Sequence, residues 1–309
     1  MQAFTPPDLK GVWASTLLPV TDSDDIDFAR LETALDVLVG SGVTGVYTNG
    51  SAGEFHTLTE DEYDRLHELV AARCGAAGVP FQLGASHPSG QICLGRIRRA
   101  AALRPAAIQV ILPDWLPLSR HEAVAAAERM ARAADGVPLV LYNPPAAKTQ
   151  LDTDDLARLA EAVPALIGIK VPGGDAAWFE RMRGGAAGRL AIFVAGHTLA
   201  SGLMLGASGS YSNVACLNPA GAARWYAQMF DDPEAAIDVQ RRLQGFFDAH
   251  IAPLARRGYC DPALDKTLAA IGDWAPTGTR VRWPYRSVPE AAVPALRRAA
   301  EAAVPELLA

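Results

Sequence analysis

From residue 12 onward the chain alternates between two hydrophobic rhythms. Short apolar runs, rich in β-branched residues, are separated by longer stretches whose apolar residues recur every three or four positions. The first rhythm is that of buried strands and the second that of amphipathic helices. The strand-like runs fall at residues 12–20, 45–49, 81–85, 107–112, 139–142, 167–171 and 191–195, with a more polar one at 209–212. Helical patterns fill the intervals at 27–39, from Thr59, 89–103, from Ser119, 153–162, 175–182 and 198–205. Thr59 and Ser119 are each followed three residues later by a glutamate, Glu62 and Glu122, which is the spacing of a capping box.

Strands separated by helices favour βα units and a parallel sheet. Eight such units in one run predict an α/β protein with a closed (β/α)8 TIM barrel rather than an open sheet. No Gly-x-Gly-x-x-Gly follows the first strand, which weakens a dinucleotide-binding reading. After Pro219 the strands stop, and 219–230, 234–256, 262–272 and 289–307 all read as helices. The pattern therefore predicts a barrel over 1–231 and a C-terminal helical extension over 232–309, packed on it without a flexible linker.

Composition narrows the function. Half of the 309 residues are hydrophobic, enough for a sizeable core, and a net charge of −6 with no basic block argues against nucleic-acid binding. No apolar run approaches a membrane span, and residues 1–7 lack the basic and apolar parts of a signal peptide. Cys74, Cys93, Cys216 and Cys260 are widely spaced and read as reduced thiols of a cytoplasmic protein. His56, His67, His87, His121 and His250 show no ligand spacing with carboxylates, so neither a metal site nor another cofactor is expected.

In (β/α)8 barrels the chemistry sits at the C-terminal ends of the strands. Those ends carry Gly50-Ser51-Ala52-Gly53-Glu54, Pro113-Asp114-Trp115, Tyr142-Asn143-Pro144-Pro145, Lys170, Gly196-His197-Thr198 and Tyr211-Ser212-Asn213. Lys170 closes the run Leu166-Ile167-Gly168-Ile169 and is the only lysine within the eight strand segments as read here. Alone, such a lysine can snorkel to solvent or pair with a carboxylate. Burial disfavours an ammonium, however, and a neutral amine is a nucleophile toward carbonyls. A lysine, a tyrosine and a serine-bearing glycine turn in one pocket can form a Schiff base, move protons and hold a carboxylate on backbone N–H groups. Glu54 reads as a structural group that caps or pairs near the turn.

These motifs resemble the dihydrodipicolinate synthase / N-acetylneuraminate lyase family of Schiff-base lyases over nearly the whole chain. Gly50-Ser51-Ala52-Gly53-Glu54 resembles the family's Gly-Ser/Thr-Thr-Gly-Glu, Tyr142-Asn143-Pro144-Pro145 its tyrosine motif, and Ile167-Gly168-Ile169-Lys170 its lysine motif. The resemblance implies that Lys170 attacks the C2 carbonyl of a 2-oxo acid such as pyruvate or a 2-keto-3-deoxy acid. Tyr142 would then shuttle protons with Ser51 as its relay, since an ordinary phenol has a pKa of about 10. The N–H groups of Ser51 and Ala52 would hold the substrate carboxylate. Gly196, His197, Tyr211 and Trp115 would contact substrate, with Trp115 and His197 selecting the second reactant. The family also implies a homo-oligomer, a tetramer built from dimers, with Trp115 on the loop of the dimer contact.

Four positions depart from the family. Leu112-Pro113-Asp114-Trp115 stands where the synthase carries a tyrosine contributed across the dimer interface. Ala146-Ala147-Lys148 stands where it carries an arginine for the second substrate's carboxylate. Gly196-His197-Thr198 replaces the acidic residues with which the neuraminate lyase binds a polyol, and Val171-Pro172 replaces an acidic-small pair after the lysine. The first two argue against dihydrodipicolinate synthesis and the third against sialic-acid cleavage. The expectation is a class I aldolase making or breaking a C3–C4 bond, with a dehydratase or hydratase-aldolase as the alternative. A barrel that binds a 2-oxo acid without turnover is a third reading; it would need neither the nucleophile nor the proton relay.

Overall fold

The computed structural model describes residues 3–113 and 115–309; Met1, Gln2 and Asp114 lie outside the described residues, the last within the 112–115 motif. Eight parallel strands, β1 (Gly11–Ser15), β2 (Gly45–Tyr47), β3 (Phe81–Gly84), β4 (Ala107–Val110), β5 (Leu139–Tyr142), β6 (Leu166–Lys170), β7 (Ala191–Ala195) and β8 (Gly209–Tyr211), pair in chain order, and β8 pairs with β1 to close a barrel. Helices separate the strands, and further helices follow β8. The fold is a (β/α)8 TIM barrel with C-terminal helices.

Side chains alternate along each strand. Trp13, Tyr47, Val140, Phe193 and Tyr211 form a core inside the barrel, while Val12, Ala14, Val46, Leu139, Leu141, Ile192 and Val194 pack outward beneath the helices. The β1 run is shorter than its apolar pattern suggests. It leaves the sheet at Thr16, whose N–H still donates to Tyr47 O at 2.9 Å. Leu17 and Leu18 are buried as a covered loop, so their hydrophobicity reports burial and not a strand. Both anticipated capping boxes are present, at Thr59 with Glu62 and at Ser119 with Glu122.

The region after β8 begins with a short helix, Asn213–Leu217, that the hydrophobic pattern does not single out. Pro219–Asp231 follows, then Pro233–Phe246, which widens into a π turn at Phe247–Ile251 before continuing as Ala252–Arg256. Pro253 lacks the N–H of a regular turn, which accounts for the irregularity just upstream. The Asp261–Gly272 helix packs on Asn213–Leu217. Its end requires glycine: a Cβ on Gly272 would lie 1.6 Å from Leu217 O. Val293–Ala303 packs in turn on Asp261–Gly272. The C-terminal helices thus lie against the barrel, with Asp261–Gly272 at the C-terminal ends of the strands.

Candidate active site

The C-terminal ends of the strands open into a cavity of about 460 Å³. Its floor is set by sheet register. Tyr142 on β5 and Lys170 on β6 are cross-strand neighbours, and the N–H of Asn143 donates to Lys170 O at 3.1 Å. Lys170 Nζ lies 4.1 Å from the centre of the Tyr142 ring, 5.5 Å from that of Tyr211 and 5.8 Å from that of Tyr47. Three electron-rich faces around one nitrogen favour a cation there. A protonated imine on the same nitrogen would receive the same support.

Ser51 enters from the turn after β2, and its hydroxyl donates to Tyr142 Oη at 3.4 Å. Two overlapping turns build this loop: Gly53 N–H donates to Gly50 O at 3.1 Å and Glu54 N–H to Ser51 O at 3.0 Å. Asn49 and Glu54 adopt left-handed φ values of 52° and 49°. A Cβ on Gly53 would come within 2.9 Å of Asn49 N, so the tight turn needs glycine there. Among the described residues, the N–H groups of Ser51 and Ala52 donate to no protein acceptor. Such a nest of unused donors suits an anion.

The turn is anchored from two sides. Behind it, the Thr48 hydroxyl and the Asn49 amide meet His67 Nε2 at 2.8 and 3.2 Å. Burial, followed by the charges of Arg96 and Arg99, pushes the His67 pKa down to about 3, so the ring is neutral in the fold. In front, Glu54 forms an ion pair with Lys266 of the Asp261–Gly272 helix, both fully buried. Glu54 Oε2 also accepts from Arg282 N at 3.0 Å, and Lys266 Nζ donates to Arg280 O at 2.5 Å. Glu54 is therefore the pairing group that its place in the turn suggested.

The remaining expected residues are distributed unevenly. His197 lines the cavity and stacks on Phe247 with ring centres 5.1 Å apart. Its backbone N–H donates to Asn213 Oδ1 at 3.1 Å, and its Nδ1 lies 2.9 Å from the Asn213 amide nitrogen and 3.3 Å from Oδ1. Burial lowers the His197 pKa, against the opposing hydrogen bond from Asn213. Tyr211 also lines the cavity, but its hydroxyl donates to Gln82 Oε1 at 2.5 Å within the barrel, so it offers substrate a ring face. Burial raises the Tyr211 and Tyr47 pKa values, so both stay protonated. Gly196 is buried behind this wall, where a Cβ would meet Ser212 Oγ at 2.4 Å. Trp115 lies outside the cavity of the single chain and is 74% exposed. Lys148, the displaced cation, donates to Trp115 O at 2.5 Å and sits 4.3 Å from the centre of its ring.

Sequence reasoning missed Tyr47, Phe247, Asp261 and Asp265, all of which line the cavity. Tyr47 lies next to a recognised strand end. The others come from the helical extension, where the one local signal is Asp265-Lys266 interrupting an apolar helix. Burial, then the charge of Asp261, pushes the Asp265 carboxyl up to about 7, against the opposing effect of Lys170. Among the described residues, no three metal-ligating side chains converge, and no helix is long and apolar enough to cross a membrane.

The model of the Dihydrodipicolinate synthetase family matches residues 8–303, and the chain belongs to that family. Its relatives span several activities. An N-acetylneuraminate lyase from Rhizobium meliloti (strain 1021) is 28% identical over 301 residues, covering 94% of each chain. An L-2-keto-3-deoxyarabonate dehydratase from Azospirillum brasilense is 28% identical over 177 residues, covering 56% of this chain and 57% of its own. Among solved structures, YagE, a prophage protein of the dihydrodipicolinic acid synthase family from E. coli K12 in complex with pyruvate, superposes with a TM-score of 0.82 at 19% identity, covering 95% of this chain and 98% of its own. The family comprises lyases, synthases and dehydratases, consistent with aldolase-type chemistry.

Proposed function

We propose that this protein is a class I aldolase that binds a 2-oxo acid as a Schiff base on Lys170 and makes or breaks its C3–C4 bond. The observation that carries this reading is the Lys170–Tyr142–Ser51 line. One amine sits against a phenol ring at 4.1 Å, and that phenol is in hydrogen-bond contact with Ser51. Lys170 Nζ attacks C2, and loss of water gives a protonated imine. In the cleavage direction the C4 hydroxyl gives its proton to the Tyr142–Ser51 relay. The C3–C4 bonding pair moves toward the iminium, leaving an enamine and an aldehyde. Protonation at C3 and hydrolysis then return the amine and release the shortened 2-oxo acid. The Ser51 and Ala52 N–H groups hold the C1 carboxylate throughout.

A dehydratase is the second reading, favoured by the relative of that name. There the same imine acidifies C3, and a hydroxyl leaves from C4 as water. Both readings share one test. Reduction with borohydride in the presence of pyruvate should add one reduced pyruvate per chain, mapped to Lys170. An adduct on another lysine, or undiminished trapping in Lys170→Ala, overturns the assignment. No adduct with pyruvate or longer 2-oxo acids would favour the non-catalytic barrel.

A further inference from the structure

The imine chemistry proposed above uses one side of the cavity. A second part of its lining, formed by the π turn and the Asp261–Gly272 helix, is apolar at Phe247, Ile251, Leu264 and Leu268 and acidic at Asp261 and Asp265. Asp265 is half-buried in this wall. Among the described residues its carboxyl accepts no hydrogen bond and forms no ion pair, although it senses the charge of Lys170. Its hydrogen bonds are therefore left to water or to a group bound in the cavity. The helix cannot readily carry it elsewhere. Lys266, the next residue, is locked to Glu54, and Gly272 closes on Leu217 O.

The charges of the cavity narrow what that partner is. Among the described lining residues Lys170 is the one lysine, none is arginine, and His197 is held toward its neutral form. No cation is left over for a second substrate carboxylate, and Asp261 and Asp265 would repel it. A substrate ammonium would have to share the cavity with the protonated imine. A hydroxyl meets neither cost, since it can donate to a carboxylate or accept from a carboxylic acid.

We propose that Asp265 contacts the substrate beyond C4, hydrogen-bonding a hydroxyl carried there, and that with Asp261 it selects hydroxylated 2-oxo monoacids against diacids. This rests on the imine reading. Burial that raises the carboxyl's pKa to about 7 populates both of its forms near neutrality, and each can bond a hydroxyl. Pyruvate carries no group beyond C3 and serves as the reference.

The test is borohydride trapping at graded concentrations of pyruvate, 2-oxopentanoate, 5-hydroxy-2-oxopentanoate and 2-oxopentanedioate. The wild type, Asp265→Asn and Asp265→Leu are compared. Each half-saturating concentration is read as a ratio to pyruvate in the same variant, and adduct mass separates intact substrate from cleaved. One hydrogen bond corresponds to about a tenfold preference. The wild type should favour the 5-hydroxy acid over 2-oxopentanoate by about that factor and bind the diacid worst. Asp265→Leu should erase the hydroxyl preference. Asp265→Asn, nearly isosteric, should improve the diacid about tenfold. An unchanged hydroxyl preference in Asp265→Leu, or a diacid that the wild type traps as well as the monoacid, overturns the proposal while the imine reading stands. A wild type that traps nothing on Lys170 overturns both.

Discussion

Glu54 and Lys266 lie 212 positions apart in sequence and meet as a fully buried ion pair between the serine-bearing turn and the C-terminal helices. Burial lowers the Lys266 pKa, and Glu54 opposes that shift. Each charge is tolerable there because the other is present.

Removing one partner therefore strands a buried charge, at a cost of about 3–5 kcal/mol. Lys266→Met should lower the unfolding free energy by about that amount. Lys266→Met combined with Glu54→Gln should recover most of it. Urea titrations of the three proteins check this; a single variant within about 1 kcal/mol of wild type would show that the pair does not hold the turn.

Tyr142→Phe keeps the ring that faces Lys170 and removes the proton. Turnover should fall by about 10²–10⁴-fold while borohydride trapping on Lys170 persists at a lower rate. Ser51→Ala should cost less, because water can stand in for its hydroxyl. Steady-state kcat beside single-turnover trapping distinguishes proton transfer from imine formation. Equal losses in both for Tyr142→Phe would contradict the shuttle role.

His67 gives stability an acid limb. Its folded pKa of about 3 lies below the ordinary 6.5, so between those values the unfolded chain binds the extra proton. Stability is then fully present above pH 6.5 and is lost as pH falls toward 3, at up to about 1.4 kcal/mol per pH unit from this one residue. Urea midpoints measured from pH 7 down to pH 5 should fall for wild type and flatten in His67→Gln, after allowance for the variant's lower baseline. A parallel decline in both proteins would assign the limb to other groups.

Trp115 and Leu116 are 74% and 73% exposed side by side. Adjacent exposed apolar side chains are characteristic of interfaces. Sedimentation at micromolar concentration should give an oligomer, with a tetramer expected, and Trp115→Glu should shift it to smaller species. A wild-type monomer would leave the patch without this role.

The barrel was legible because each strand needs an apolar inner or outer face, and a period-2 pattern interrupted by helical stretches has few other solutions. Lys170, Tyr142 and Ser51 were legible because strand ends map onto one rim of such a barrel. The expectation for Trp115 rests on the resemblance of its loop, and a loop's position does not say which way a side chain turns. The 12–20 run read too long because Leu17 and Leu18 are buried without being paired. Asp265 and Phe247 were invisible for a different reason. They sit on helices far along the chain, and periodicity gives a helix its buried face without saying what that face covers.

The cavity draws on early and late parts of the chain: Ser51 and Ala52 from near its start, and Asp261, Leu264, Asp265 and Leu268 from long after β8 is complete. Translation proceeds from the first to the last. A nascent polypeptide that has emerged only through Tyr211 possesses every strand, together with Lys170, Tyr142 and Ser51, yet lacks one wall of the cavity and the counter-ion of Glu54. The Lys170 amine is thus present well before the chamber around it is enclosed, and completion of the chamber waits on synthesis through the Asp261–Gly272 helix.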